Sequence, residues 1–270
     1  MKILPINSII NEDCLTFLPK IPDESIDLII TDPPYAISSG GKLSMKNVKK
    51  QEGFGGDWKI IDEDWDTFSF DNYCNLIEEM LKESYRVLKK KGTMFICGTY
   101  HNIGIINYFA LSTNFNIINE IIWYKRNAFP NLSQKCITAS HENILWLAKS
   151  DHWNYNYESI KQTSYSFDRF KEANKQLRSV WDIPNNKEKD ELAYREAFPN
   201  QAYWIKSQKP LRLIDRCIEI TTQPGDIIAD WFAGAGTTLI SAINHSLAFV
   251  ACEINPKFVE VIKWRLARKK

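Results

Sequence analysis

The chain has 270 residues, of which 44% are hydrophobic, 25% charged and 13% aromatic. That composition supports a sizeable buried core and excludes a disordered or fibrous chain. Thirty-four Lys and Arg against 33 Asp and Glu leave a formal charge of +1, which excludes a uniformly basic surface, so any contact with nucleic acid must come from locally gathered basic residues.

The amino-terminal stretch Met1 to Asn7 turns acidic at Glu12 and Asp13, and no run reaches the ~18 apolar residues of a membrane span, so a cytoplasmic location is expected. Runs of strand length then recur along the chain: Ile26 to Thr31, Thr93 to Cys97, Ile117 to Trp123, Ile144 to Leu147, Ile227 to Ala229 and Ala248 to Ala251. Between the first two, Tyr73, Leu76, Ile77, Met80, Leu81, Tyr85 and Leu88 repeat at the spacing of a helix face, with Ser69 placed to cap it and Gly92 beyond its end. Strands alternating with helices predict a doubly wound, mostly parallel α/β sheet. Two segments interrupt the alternation. Residues 38–66, Gly-rich and carrying Lys42, Lys46, Lys49 and Lys50, read as a mobile loop. Residues 151–206, polar and aromatic with weak helical character from Phe167 to Leu177, read as an insertion. The six cysteines show no Cys-x-x-Cys, and the four histidines are scattered, so no metal site is expected and most cysteines read as reduced core thiols.

Two motifs carry chemistry. The strand Ile26–Thr31 runs directly into Asp32-Pro33-Pro34-Tyr35, at the carboxyl end of a strand, where open α/β sheets bind ligands. The prolines fix their own φ and push the preceding residues towards extended geometry, which holds the Asp32 carboxylate and the Pro33 carbonyl as two rigid acceptors. Such a pair suits the two hydrogens of an amino group on an aromatic ring, with Tyr35 as a stacking face. Taken alone, the same tetrapeptide also reads as a rigid turn with a capping Asp and a core Tyr.

The second motif, Asp230-Trp231-Phe232-Ala233-Gly234-Ala235-Gly236-Thr237-Thr238, again follows a strand and precedes a helix. Its glycines permit a tight turn and close approach of backbone to ligand. Glu253, at the end of the next strand, stands where an acidic residue accepts from ribose hydroxyls, so a nucleoside cofactor is implied. Leu239 occupies the place of a third glycine, so the dinucleotide fingerprint is incomplete, and a purely structural turn stays open.

Asp-Pro-Pro-Tyr followed far downstream by Phe-x-Gly-x-Gly-Thr-Thr resembles the DNA amino-methyltransferases. Their order, with the catalytic motif first and an insertion between, is similar to the circularly permuted β group of that family, and the likeness covers nearly the whole chain. The stretches Asn11 to Leu15, Ile122 to Asn127 and Ser207 to Leu211 match too, and Gly98 to Lys149 resembles the branch that contains GATC-directed adenine enzymes.

The resemblance implies a Rossmann-like methyltransferase domain over residues 1–150 and 207–270, with a target-recognition insertion at 151–206. It assigns S-adenosylmethionine to Asp230, Phe232, Gly234, Gly236, Thr237 and Thr238, with ribose on Glu253. The adenine-ring region falls to Asp13 and Cys14, and the methionine end to Ser207, Gln208, Lys209 and Pro210. The target base falls to Asp32, Pro33, Pro34 and Tyr35. The sequence departs from the family at Ile205-Lys206, Trp231 and Ala235, where His-Pro, Pro and Ser are usual.

The implied reaction is direct methyl transfer to an amino nitrogen. Methylation of cytosine carbon 5 is disfavoured because it needs a thiolate, usually from a Pro-Cys pair, and none of the six cysteines follows a proline. Asp in the tetrapeptide is commoner among adenine N6 enzymes and Ser among cytosine N4 enzymes, so the resemblance implies a site-specific adenine N6 methyltransferase of a restriction-modification system. The alternatives are a cytosine N4 enzyme, an RNA or protein amide methyltransferase, and a non-catalytic DNA- or nucleotide-binding module. The DNA contacts expected are Lys42, Lys46, Lys49 and Lys50 in the loop, Lys125 and Arg126, and Lys161, Arg169, Lys171, Lys175 and Arg178 in the insertion. Family members are often dimers, and no feature here decides that point, the recognition sequence or a cognate nuclease.

Overall fold

The computed structural model describes residues 2–35, 69–128, 130–131, 135–185, 194–200, 205 and 208–269. The loop expected at 38–66, with Lys42, Lys46, Lys49 and Lys50, lies outside the described residues, as does Ser207.

Among the described residues, eight strands form one sheet: β1 (Ser8–Ile10), β2 (Ile26–Thr31), β3 (Leu88–Gly98), β4 (Asn116–Tyr124), β5 (His141–Ala148), β6 (Val180–Asp182), β7 (Ile227–Asp230) and β8 (Ala248–Cys252). Their order is β1-β8-β7-β2-β3-β5-β4-β6. Pairing is parallel from β1 to β3 and between β4 and β6, and antiparallel where β5 joins β3 and β4. Helices among the described residues include α1 (Cys14–Phe17), α2 (Phe70–Val87), α3 (Ile103–Ser112), α4 (Tyr157–Gln162), α5 (Leu211–Thr221), α6 (Thr237–Asn244) and α7 (Pro256–Ala267).

The alternation of side chains along each strand divides the core between the two faces. Ile29, Met94 and Ile96 pack with Tyr73, Ile77 and Met80 of α2 on one face. Leu28, Ile30, Phe95 and Ile228 pack with Leu213, Ile214 and Cys217 of α5 and Leu239 of α6 on the other. Helix α2 starts where its capping signal lies, with Asn72 N donating to Ser69 Oγ at 3.2 Å.

Four features differ from the sequence reading. Strand β3 begins at Leu88 rather than Thr93, because Ile26 pairs with Leu88 and Leu28 with Thr93, so the polar residues between bulge out of the ladder. Gly92 sits in that bulge, where a Cβ would approach Leu88 Cδ2 at 2.9 Å and the Asp27 carbonyl oxygen at 3.0 Å. β1 and β6 went unpredicted because three residues are too few to show a period. The helical character expected at Phe167–Leu177 is absent; that stretch forms turns, and the helix lies earlier at Tyr157–Gln162.

Residues 151–185 are stitched into the α/β core. β6 pairs with β4, Asn156 Nδ2 donates to the Glu219 and Thr222 carbonyls at 2.8 and 2.9 Å, and Trp181 and Ile183 are buried beside α5. The tie is electrostatic as well. Arg216 of α5 is fully buried, ion-pairs with Asp168 at 2.5 Å and stacks on Tyr165 at 4.0 Å.

Candidate active site

β2 and β7 are parallel neighbours, with Leu28 opposite Ile228 and Ile29 opposite Ala229. From β2 the chain next enters the sheet at β3 on one side, and from β7 it next enters at β8 on the other. Their carboxyl ends therefore flank a topological switch point, where the diverging connections leave a crevice. Thr31 Oγ1 donates to Asp230 Oδ1 across this seam at 3.2 Å. A cavity of about 600 Å³ opens there, with Asp32 and Pro34 on one side and Asp230, Phe232 and Glu253 on the other.

On the β7 side the turn is glycine-dependent. Gly234 and Gly236 have φ of 52° and 75°, and a Cβ on Gly236 would meet Ile262 Cγ1 at 3.0 Å. Gly234 N donates to Glu253 Oε2 and Asn255 N to Glu253 Oε1, each at 2.8 Å. These bonds aim the carboxylate while leaving lone pairs for a ligand's hydroxyls. Thr237 Oγ1, at the start of α6, is buried and has no hydrogen-bond partner among the described residues. Asp230 is 5% exposed and pairs with no cation among the described residues. Burial pushes its carboxyl up to about 7, against the bonds from Thr238, Phe232 N and Thr31.

Of the other residues expected to hold the cofactor, Asp13, Gln208, Lys209 and Thr238 also line the cavity. Asp13 caps α1, accepting from Leu15 N at 2.9 Å. Cys14, Pro210 and Gly236 are buried and do not line it. Burial pushes the Cys14 thiol far up. Trp231, where the family usually has Pro, donates from Nε1 to Ser84 Oγ at 2.9 Å and so ties the turn to α2.

On the β2 side, Asp32 is the centre of a charged cluster. Tyr35 Oη donates to Asp32 Oδ1 at 2.6 Å, and the Lys209 ammonium bonds Asp32 Oδ2 and lies 2.6 Å from Tyr35 Oη. Lys209 Nζ also faces Glu142 Oε2 at 3.3 Å, and Lys125 Nζ pairs with Glu142 Oε1 at 2.7 Å. Burial pushes the Asp32 carboxyl up while Lys209 pulls it back. Burial likewise opposes the charge on Lys209, but Asp32 and Glu142 outweigh it and hold the ammonium above the ordinary lysine range. Sequence reasoning placed Lys209 at a cofactor's methionine end; its ammonium is spent on Asp32, Tyr35 and Glu142. Glu142 was missed, as were Asn72, Cys97, Ile205 and Phe258 of the lining. Glu142 lies in a stretch that matched the family, but no local spacing marks it.

The basic residues expected at DNA divide by environment. Lys171 is 3% exposed, with its ammonium on the carbonyls of Thr163, Glu172 and Lys161 at 2.5, 2.6 and 3.1 Å. A lysine committed to three carbonyls inside the fold has no donor for a phosphate, so the expectation for Lys171 is corrected to a structural role. Arg126 and Arg169 converge on the buried Asp182 at 2.9 and 2.5 Å, and Lys125 is held by Glu142. Their charges are partly spent within the fold. Lys175 and Arg178 are exposed, and Lys161, half-buried, lies over the Tyr157 ring.

Comparison with known proteins places this geometry. The family described as DNA methylase matches residues 26–264. The chain is 32% identical over 267 residues to the type II methyltransferase M.HinfI of Haemophilus influenzae, covering 97% of this chain and 68% of that protein. The PvuII DNA methyltransferase, which is cytosine-N4-specific, superposes with a TM-score of 0.72 at 18% identity, over 96% of this chain and 85% of that one. The M1.HpyAVI–SAM complex gives 0.63 at 22% identity, over 96% and 98%.

Proposed function

Since the chain belongs to the DNA methylase family, we propose that its cavity joins a cofactor half to a base half, and that the protein transfers a methyl group to the N6 amino group of adenine at a specific DNA sequence. The observation that carries this reading is that Asp32 and Asp230 stand at the carboxyl ends of adjacent strands and line one cavity.

The cofactor half fits S-adenosylmethionine. It offers an anchored carboxylate at Glu253 for ribose hydroxyls, a buried unpartnered hydroxyl at Thr237, and at Asp230 a buried carboxylate awaiting a cation. Phe232, Gly234, Thr238, Asp13 and Gln208 complete it, with Cys14, Gly236 and Pro210 shaping the wall from behind. When bound, the cofactor supplies a methyl group already activated on a sulfonium, so the protein needs no covalent intermediate.

The protein's work is to bind, orient and exclude water. Asp32 accepts one hydrogen of the amino group and the Pro33 carbonyl the other, which frees the nitrogen lone pair, while Pro34 keeps the turn rigid. The target base leaves the helix at a cost of a few kcal/mol, part of which stacking on Tyr35 offsets. Residues 1–150 and 207–270 act as the permuted catalytic and cofactor-binding domain, and 151–206 as the target-recognition region. Lys161, Lys175 and Arg178 meet phosphates there, joined by Lys42, Lys46, Lys49 and Lys50 of residues 38–66. Arg126 and Arg169 contribute the donors that Asp182 leaves over. No helix among the described residues is long and apolar enough to cross a membrane, and the protein acts on cytoplasmic DNA as the methylating partner of a restriction-modification system.

A second reading, cytosine N4 methylation, is not favoured: the likeness to the PvuII enzyme, at 18% identity, is one of fold, and Asp32, rather than Ser, favours adenine. Expression in a methylation-free host, followed by modification-sensitive long-read sequencing, separates the two. N6-methyladenine at one short motif supports the proposal and reveals the site, whereas N4-methylcytosine establishes the second reading. An unmodified genome from a host with folded protein points to the non-catalytic module.

A further inference from the structure

Four groups from separate parts of the chain form one charged cluster, of which Asp32 and Lys209 line the cavity. Asp32 follows β2, Lys209 precedes α5, Glu142 lies in β5 and Lys125 follows β4. Lys209 is 7% exposed and touches both carboxylates. Glu142 Oε2 is buried and has no hydrogen bond among the described residues; what it faces is the Lys209 ammonium at 3.3 Å. Among the described residues, the titratable and charged groups facing Asp32 are therefore Lys209, Tyr35, Glu142, the Cys97 thiol and, across the seam to β7, Asp230.

An Asp32–Lys209 pair alone would be neutral, and a carboxylate neutralised in a dry pocket is a weak acceptor for an amino hydrogen. Glu142 changes that balance. Two carboxylates share one ammonium, and with Lys125 on the other oxygen of Glu142 the four groups sum to zero, where without Glu142 they would carry one positive charge. Net positive charge beside a centre that itself becomes positive would raise the barrier to reaching it.

We infer that Glu142 is a positioning residue of the base pocket: it shares Lys209 with Asp32, so that Asp32 keeps the acceptor strength to take an amino hydrogen and the cluster does not turn net positive beside the reacting nitrogen. The chemistry rests on the proposed methyl transfer; the charge arrangement does not. In that transfer the methyl carbon leaves sulfur as it bonds nitrogen, the electrons of the broken bond stay on sulfur, and the nitrogen releases one proton to Asp32.

Two variants move Asp32 in opposite directions. Glu142→Gln removes a like charge and leaves Lys209 wholly to Asp32, so the Asp32 titration moves down by about one pH unit. Lys209→Met removes the cation, and the titration moves up by about one to three units. The direct measurement is the carboxyl carbon-13 shift of Asp32 against pH in labelled full-length protein, assigned with Asp32→Asn, with thermal melts showing that each variant folds. The second measurement is the pH profile of single-turnover methyl transfer to genomic DNA from a methylation-free host. Its acid limb is expected to follow the same opposite displacements, with the Glu142→Gln rate down roughly tenfold or more. Opposite shifts without any methyl transfer would uphold the charge arrangement and unseat the activity. An Asp32 titration unmoved in both folded variants, or moving the same way in both, overturns the inference, as does an acid limb unmoved by Glu142→Gln.

Discussion

Asp230→Asn tests the cofactor half through a property that needs no turnover. Asp230 is 5% exposed, accepts from Thr31 Oγ1 at 3.2 Å and from Phe232 N at 3.1 Å, and has no cation beside it among the described residues. Burial raises its carboxyl from 3.8 to about 7. At ~1.4 kcal/mol per unit this makes ionised Asp230 cost the apoprotein up to ~4 kcal/mol at pH 8, a figure that local relaxation reduces. The sign follows from proton counts. Between the unfolded and folded values the native state binds more protons, so stability contributed by this group falls as pH rises from about 4 to 7 and stays low above. The Asn variant has the same size, still accepts from Thr31 and Phe232 N, meets the Thr238 hydroxyl with an amide donor that the hydroxyl can accept, and carries no charge. It should therefore be more stable than wild type at pH 8 by ~1–3 kcal/mol, seen as a melting temperature several degrees higher. At pH 5, where native Asp230 is protonated but the unfolded carboxyl is still ionised, the advantage should shrink to roughly a third, and it should vanish only below about pH 4. Calorimetric titration with S-adenosylmethionine should show the reverse ranking at pH 8, because the Asn variant no longer offers a carboxylate to a cation. An advantage equal at pH 5 and pH 8, or no advantage at pH 8, would refute the reasoning.

Other consequences follow from the same geometry. Asp32→Ala should abolish methyl transfer while cofactor affinity stays within a few-fold of wild type; appreciable turnover by this variant would remove Asp32 from the chemistry. Gly236→Ala forces a left-handed φ on a side chain and a contact with Ile262, so it should cost roughly 1–3 kcal/mol in denaturant melts and weaken cofactor binding. Arg216→Met leaves Asp168 buried without its partner, and a loss of ~3–5 kcal/mol is expected, with proteolysis first attacking residues 151–185. Neutralising Lys161, Lys175 and Arg178 to Gln should reduce the slope of log affinity for DNA against log salt by up to ~3, and an unchanged slope would take them out of the interface.

What could be read along the chain was whatever neighbouring residues decide. The apolar run Ile26–Thr31 coincides with β2, and the spacing from Tyr73 to Leu88 marks α2, because burial on a strand or a helix face imposes a period on adjacent positions. The edge strands Ser8–Ile10 and Val180–Asp182 stayed hidden, since three residues carry no period and their pairing is decided by the partner strand. Charge misled for a related reason. Lys171 and Lys175 look alike in sequence, yet one ammonium is buried on three carbonyls and the other residue is exposed.

The sequence by itself determined that Asp32 and Asp230 would each end a buried strand and that a glycine turn would follow the second. It also determined the residue types from which a base pocket and a nucleoside site are built. Only the tertiary structure decided that Thr31 and Asp230, 199 positions apart, are bonded across adjacent strands, so that the two motifs share one cavity. It alone set Glu142 and Lys125 around Lys209. Backbone preference and periodicity are properties of neighbours in the chain, whereas strand order and counter-charge depend on which distant segments the core brings together.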